Sequence, residues 1–293
     1  MSATVERSIL EVGGTRTRLL QAGPADASEA VVFVHGNPGS ADDWEPLAAA
    51  AAAQTGMRAL AFDLPDFGET AAPPGFDHSA LGYATFLSQA LERLGVERAH
   101  LVVHDFGGPI GLSYAIQHPA NVKSIVLFNT WMWSLADDPK VHQASRIATS
   151  PLGALLYRGL NASPRWLMPM VYANKAKLTP EIHAHYRKAF ASWKERMAPW
   201  VLARELVGSG DWYASLWDQR SVLATKPALL LWGTKDPTFG PAALARWREA
   251  LPNAKAMTFA DAGHFVQEEV GPTLTGYITS FLDTVRRSNS SVA

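Results

Sequence analysis

Asp105, Asp236 and His264 are the residues of this 293-residue chain whose types and surroundings could do chemistry together. Asp105 ends the apolar run Leu101-Val102-Val103-His104 and is followed by Phe106-Gly107-Gly108 and helix-forming residues, the pattern of strand, sharp turn and helix. Such an elbow puts its tip residue forward as a nucleophile, and here the tip is a carboxylate. A carboxylate displaces a leaving group from sp3 carbon and forms an alkyl ester, which water must then hydrolyse. Taken singly, each residue has a plainer reading: Asp105 as a helix N-cap, Asp236 as a turn former before Pro237, His264 as a hydrogen-bonded structural residue. Together they each follow an expected parallel strand at its carboxyl end, in the order nucleophile, acid, histidine. That order and placement favour a triad over three coincidences.

The roles follow from the residue types. Asp105, ionised near neutral pH, attacks directly; His264 takes a proton from the hydrolytic water; Asp236 orients the imidazole and stabilises its charged form. The oxyanion of the second step is met by the backbone N–H of Phe106, next to the nucleophile, and that of Asn37, in the loop after the third strand.

The elements that must hold these residues are legible in order. Residues 7–12 and 15–22 alternate around Gly13-Gly14 as a hairpin. Continuous apolar runs at 30–34, 57–62, 101–103 and 123–128 read as strands buried on both faces, with helices at about 44–53, 79–94 and 107–118 between them. From 134 to 223 the rhythm gives way to proline-broken amphipathic helices rich in Trp and Met, a cap over the strand ends. It resumes with strands at 228–232 and 256–259 and helices at 241–250 and 273–285. The expected class is α/β, with one core domain from residues 1–133 and 224–293 and a cap domain from 134–223, although length alone allows two tandem domains.

Charge nearly cancels, with 26 Lys and Arg against 27 Asp and Glu, so neither nucleic acid nor an anionic membrane is expected as a partner. The chain has no cysteine, which removes disulfides and thiolate chemistry and is consistent with cytoplasm, the expected location. Residues 1–7 show no basic region leading into an apolar core, so no signal peptide is expected, and the tail from 286 to 293 reads as frayed. Gly107-Gly108-Pro109-Ile110-Gly111 lacks dinucleotide spacing, and His183 and His185, two apart in a helix, do not share a face. No cofactor and no metal are expected; the partners are a small apolar organic substrate and water.

With these residues in hand, the chain resembles the α/β-hydrolase superfamily over nearly its whole length. Within it, the chain looks like the aspartate-nucleophile branch that holds haloalkane dehalogenases and epoxide hydrolases. The resemblance rests on His35-Gly36-Asn37-Pro38, on His104-Asp105-Phe106-Gly107-Gly108, and on Ala262-Gly263-His264-Phe265-Val266-Gln267-Glu268-Glu269. It implies a mostly parallel eight-stranded sheet with helices on both faces and an inserted helical cap. Asn37 matches the asparagine that often donates its side-chain amide to the departing halide in dehalogenases, where epoxide hydrolases usually carry an aromatic residue. Asn129-Thr130-Trp131-Met132-Trp133 resembles a dehalogenase subfamily whose acid follows the next strand, as Asp236 does. Asn129 stands where another subfamily has its acid and cannot serve as one. Phe106 departs from the tryptophan that dehalogenases typically place after the nucleophile, so one halide donor is missing. Trp131 and Trp133 are candidate pocket residues and replacement donors, weighed against plain apolar filling of the cap interface. Epoxide opening would need two convergent tyrosines, with Tyr157, Tyr172, Tyr186 and Tyr213 as candidates. Dehalogenase-like hydrolysis leads these readings, epoxide hydrolysis follows, and a ligand-binding or sensor protein without turnover is the third.

Overall fold

The computed structural model describes residues 3–290. The first two residues of the stretch read for a leader, and the last three of the polar tail, lie outside the described residues. Strands β1 (Val5–Val12) and β2 (Thr15–Ala22) form the expected hairpin. Gly13 and Gly14 between them both have positive φ, 54° and 80°, the requirement of a turn whose twist matches the flanking strands. The sheet continues with β3 (Glu29–Val34), β4 (Arg58–Phe62), β5 (Arg98–His104), β6 (Val122–Phe128), β7 (Ala228–Gly233) and β8 (Lys255–Phe259). Its order is β1-β2-β4-β3-β5-β6-β7-β8, antiparallel at β1–β2 and β2–β4 and parallel thereafter.

The continuous apolar runs of the middle strands are continuous because both faces are covered. Val32, Leu101 and Leu230 pack in the core on one side of the sheet, while their chain neighbours Val31, Val102 and Leu229 pack in the core on the other. Each such side chain, fully buried, contributes on the order of 1.5–3 kcal/mol. The covering helices are α1 (Glu45–Thr55), α2 (Ala80–Arg93) and α3 (Gly107–Gln117), joined after β7 by elements described below. The first starts at Glu45, about where expected, after a short 3-10 turn, Ala41–Trp44, capped by Ser40.

Between β6 and β7 lies the helical insertion. It comprises α4 (Pro139–Thr149), α5 (Pro151–Ala154), α6 (Met168–Val171), α7 (Pro180–Lys188), α8 (Met197–Gly208), α9 (Gly210–Asp218) and α10 (Ser221–Ala224), with π-helical turns at Leu155–Gly159 and Ser163–Leu167. Prolines open α4, α5 and α7, where the missing N–H costs nothing, and so divide the segment into short pieces. After β7 come α11 (Pro241–Ala250), α12 (Val266–Glu269) and α13 (Thr273–Ser290); the last runs past residue 285 to Ser290, into the stretch expected to fray.

Candidate active site

Asp105 sits between the last residue of β5 and the first turn of α3 with φ at +51°, a left-handed conformation that costs a non-glycine residue on the order of 1–3 kcal/mol. The surroundings hold it there. A Cβ on Gly36 would stand 2.4 Å from the Asp105 side chain, one on Gly107 2.3 Å from the Val34 carbonyl oxygen, and one on Gly108 1.7 Å from Thr130 Oγ1. The elbow therefore nests against β3 and the loop after β6 only because these three positions lack side chains. Thr130 Oγ1 donates to the Asp105 carbonyl at 2.5 Å, tying the elbow to that loop.

The three expected chemical residues converge. His264 Nδ1 is 2.7 Å from Asp236 Oδ2, and its Nε2 is 3.4 Å from Asp105 Oδ2. The other Asp105 oxygen, Oδ1, accepts the Asn37 backbone N–H at 2.8 Å. All three side chains are buried. Burial alone would raise the carboxyl of Asp105, but the His264 hydrogen bond and charge outweigh it and hold Asp105 below the ordinary carboxylate value. Asp236 is likewise lowered, burial being overcome by the charge and hydrogen bond of His264. For His264 burial acts downward, yet Asp236 and Asp105 on its two sides push it up to about 10. The resting arrangement is an imidazolium between two carboxylates. Beside it, with ring centroids 4.6 Å apart, His104 is kept neutral, pushed down to about 3 by burial and by the charge of His264.

Asp105, Asn37, Phe106 and His264 line a cavity of about 170 Å³ closed by the insertion, chiefly through Tyr157, Met168 and Leu206. Above this polar floor its walls are mostly apolar, with Tyr157, Ser163 and Thr238 as the polar exceptions. Among the described residues the side-chain amide of Asn37 has no partner, and its Oδ1 is buried. An ionised carboxylate oxygen and an unpartnered amide thus face the same small apolar space, an arrangement suited to displacement of a leaving group at carbon.

Two expected pocket residues are elsewhere. Trp131 lies behind Phe106 and Phe239, edge-on to the first at 4.8 Å and stacked on the second at 4.5 Å, so the two cavity-lining rings screen it. Its indole nitrogen is buried without a partner. Trp133 packs against Trp217 and Trp247 beneath the Arg246 guanidinium and borders a separate surface cleft. Both rings turn into the core between the insertion and the sheet because that is where their apolar area is covered. Of the four candidate tyrosines only Tyr157 lines the cavity; Tyr172 and Tyr186 donate to Glu268, and Tyr213 is buried outside it.

Several positioning groups were not legible as such. Asn129, fully buried, donates from Nδ2 to Asp236 Oδ2 at 2.9 Å, to Gly233 O at 3.0 Å and to Phe239 O at 3.2 Å, and its Oδ1 accepts the Gly233 N–H at 2.8 Å. Its place at the end of β6, facing the acid's loop, was the available signal. His104 Nε2 pairs with the His264 carbonyl at 2.9 Å. Glu269 clasps the histidine loop to the insertion: Oε1 accepts the Gly263 N–H at 2.7 Å and Oε2 the Asn174 N–H at 2.8 Å, while the His264 N–H reaches the Val171 carbonyl at 2.9 Å.

Comparison with known proteins places the fold. A family model for the alpha/beta hydrolase fold matches residues 29–270. A cis-3-alkyl-4-alkyloxetan-2-one decarboxylase of Shewanella oneidensis is 29% identical over 286 residues, covering 94% of this chain and 88% of that protein. Haloalkane dehalogenase 2 of Mycobacterium tuberculosis is 27% identical over 241 residues, 82% of each chain. Among solved structures, a loop variant of the haloalkane dehalogenase DbeA from Bradyrhizobium elkanii superposes with a TM-score of 0.85 at 22% identity, over 99% of this chain and 100% of that one. By its matched sequence, its eight-stranded sheet and its strand-end constellation, this chain belongs to the alpha/beta hydrolase fold family.

Proposed function

We propose that this protein is a hydrolase that forms an alkyl ester on Asp105, with haloalkanes as its substrate class. The observation that carries the reading is the division of the Asp105 carboxylate: Oδ1 is held by the Asn37 N–H, and Oδ2 is left towards the cavity and His264. Oδ2 attacks the carbon, the carbon–halogen bond breaks, and the halide leaves towards the Asn37 amide. Oδ1 becomes the ester carbonyl, already seated where the oxyanion of hydrolysis must form. Esterification removes the Asp105 charge, one of the supports that raise His264. The imidazole then releases its proton and serves as base for the attacking water, oriented by Asp236.

Bromide release from a short bromoalkane, with Asp105→Ala as control, tests this directly. Release lost in the variant supports the reading. Intact mass of His264→Gln after exposure to the bromoalkane should show the trapped alkyl adduct, and neither release nor adduct from folded protein would end it.

A second reading is favoured by Phe106, which lines the cavity but has no donor for a halide, and by the relative named for an oxetan-2-one. Attack of Asp105 on the ring carbon of such a lactone expels a tethered carboxylate, a leaving group that the strained ring already activates. Loss of carbon dioxide with departure of Asp105 would give an alkene. The two readings separate by product: bromide and alcohol, or alkene and carbon dioxide. Epoxide opening by paired phenols finds one tyrosine, Tyr157, on the cavity wall.

A further inference from the structure

The near-zero total charge is an average over two different surfaces. Residues 139–197 carry ten Lys and Arg against two Asp and Glu, a net of +8, leaving 16 against 25, or −9, for the rest of the chain. The same segment holds eight of the eleven large apolar side chains that are most exposed among the described residues. They include Leu152, Leu155, Leu160, Trp166, Met170 and Trp193, with Met170 at 68% and Leu152 at 58% exposure.

These side chains are not scattered singly. A Cβ on Gly159 would stand 3.0 Å from Leu155 and 3.8 Å from Trp193, and the Arg158 guanidinium lies 4.2 Å over the Trp193 ring. Arg196 donates to the carbonyls of Arg158 and Gly159, fixing the two stretches side by side. Residues 163–171 continue the surface: Ser163, Leu167 and Val171, four apart, line the cavity, while Trp166 and Met170, also four apart, face outward. A surface helix normally gives water a polar face; this stretch turns Trp166 and Met170 outward beside Arg165, with Leu167 and Val171 on the cavity. Leu167 both lines the cavity and is 41% exposed, so cavity wall and outer patch meet there.

We propose that this face of the insertion docks on the surface of an anionic lipid bilayer. Trp166, Met170 and Leu152 sit at the boundary of headgroups and acyl chains, and exposed bases such as Arg165, Lys175, Lys177 and Lys188 lie on lipid phosphates. The combination of an apolar centre, tryptophan and a basic surround is what an interfacial segment requires. Two copies of the chain meeting through this face would set like charges against each other, which disfavours that occupant. Docking places the cavity edge at Leu167 beside the phase in which apolar molecules concentrate. The docking itself does not depend on which reaction Asp105 performs.

Flotation of the full chain without substrate, on vesicles of phosphatidylcholine alone or with phosphatidylglycerol, tests the proposal. The protein should float with the anionic vesicles, at least about tenfold less with neutral ones, and less as salt rises. Trp166→Asp combined with Met170→Asp, melting as the parent does, should float at least about tenfold less. Absence of flotation with folded parent protein overturns the proposal, as does flotation that ignores lipid charge or both substitutions. Sedimentation velocity supplies the remaining outcome: a dimer abolished by the double substitution, with no vesicle binding, assigns the face to a second copy and refutes the membrane.

Discussion

Asn129→Ala removes an amide that reaches three oxygens and one N–H around the loop of Asp236, and the consequences can be sized. The bond to the Asp236 carboxylate is charge-assisted, worth about 1.5–3 kcal/mol, and each backbone bond about 0.5–1.5 kcal/mol net. Because Asn129 is fully buried, its partners stay dry unless water enters the space left by the amide, and such a space admits about one water with polar partners on several sides. A loss of about 3–4 kcal/mol follows, which for a chain of this size lowers Tm by roughly 5–7 °C. Asp236 retains the Thr238 N–H at 2.8 Å and His264 at 2.7 Å, so the acid stays near its place. Turnover should therefore fall by only about tenfold, the worth of one misdirected charge-assisted bond. Scanning calorimetry and steady-state turnover on the substrate identified by product analysis would check both numbers. A Tm within 2 °C of the parent, together with unchanged turnover, would show that the fan of bonds from Asn129 positions nothing.

Four further outcomes are expected. Gly108→Ala forces a methyl to within 1.7 Å of Thr130 Oγ1 and should abolish folding or activity, measured by circular dichroism, while Gly276→Ala, where nothing stands within 4 Å, should be tolerated. In single-turnover hydrolysis the alkyl-enzyme needs neutral His264, so the rate should rise with pH to an inflection below about 10; Asp236→Asn, which removes the largest upward influence on His264, should move that inflection to lower pH. Because folding raises His264, its contribution to stability is complete below its ordinary value of 6.5 and is lost as pH climbs through about 10, so the Tm gap between parent and His264→Gln should shrink over that range. Phe106→Trp supplies a donor on the cavity wall and should raise bromide release about 10-fold or more, against an overpacking cost on the order of 1–3 kcal/mol in stability where the ring meets Trp131.

What could be read ahead of the structure was whatever depends on chain-local pattern. The buried strands announced themselves as apolar runs, and Asp105, Asp236 and His264 stood out because each follows the carboxyl end of an expected strand. Trp131 and Trp133 show the boundary of that method. Their types suit a pocket and an interior equally, and only the packing of Phe106, Phe239, Trp217 and Trp247 decides between the two. The cavity wall was missed for a related reason. Part of it, Tyr157, Ser163 and Leu167, comes from π-helical turns at 155–159 and 163–167, where Leu155 and Trp166 are apolar yet exposed, so periodicity carries no sign of which side is inner. Net charge failed in a third way, since a sum cannot report that the basic residues gather on one segment.

The clasp made by Glu269 binds two schedules together. The insertion covers the cavity, and the loop carrying His264 is pinned to residues 171–174 of that same insertion. Any opening that parts those hydrogen bonds also unmoors the imidazole, so an open molecule holds a carboxylate but no well-aimed base. For the alkyl ester proposed on Asp105, hydrolysis then requires the clasp closed, so the hold of the insertion on this loop and the chemistry beneath it are tied together.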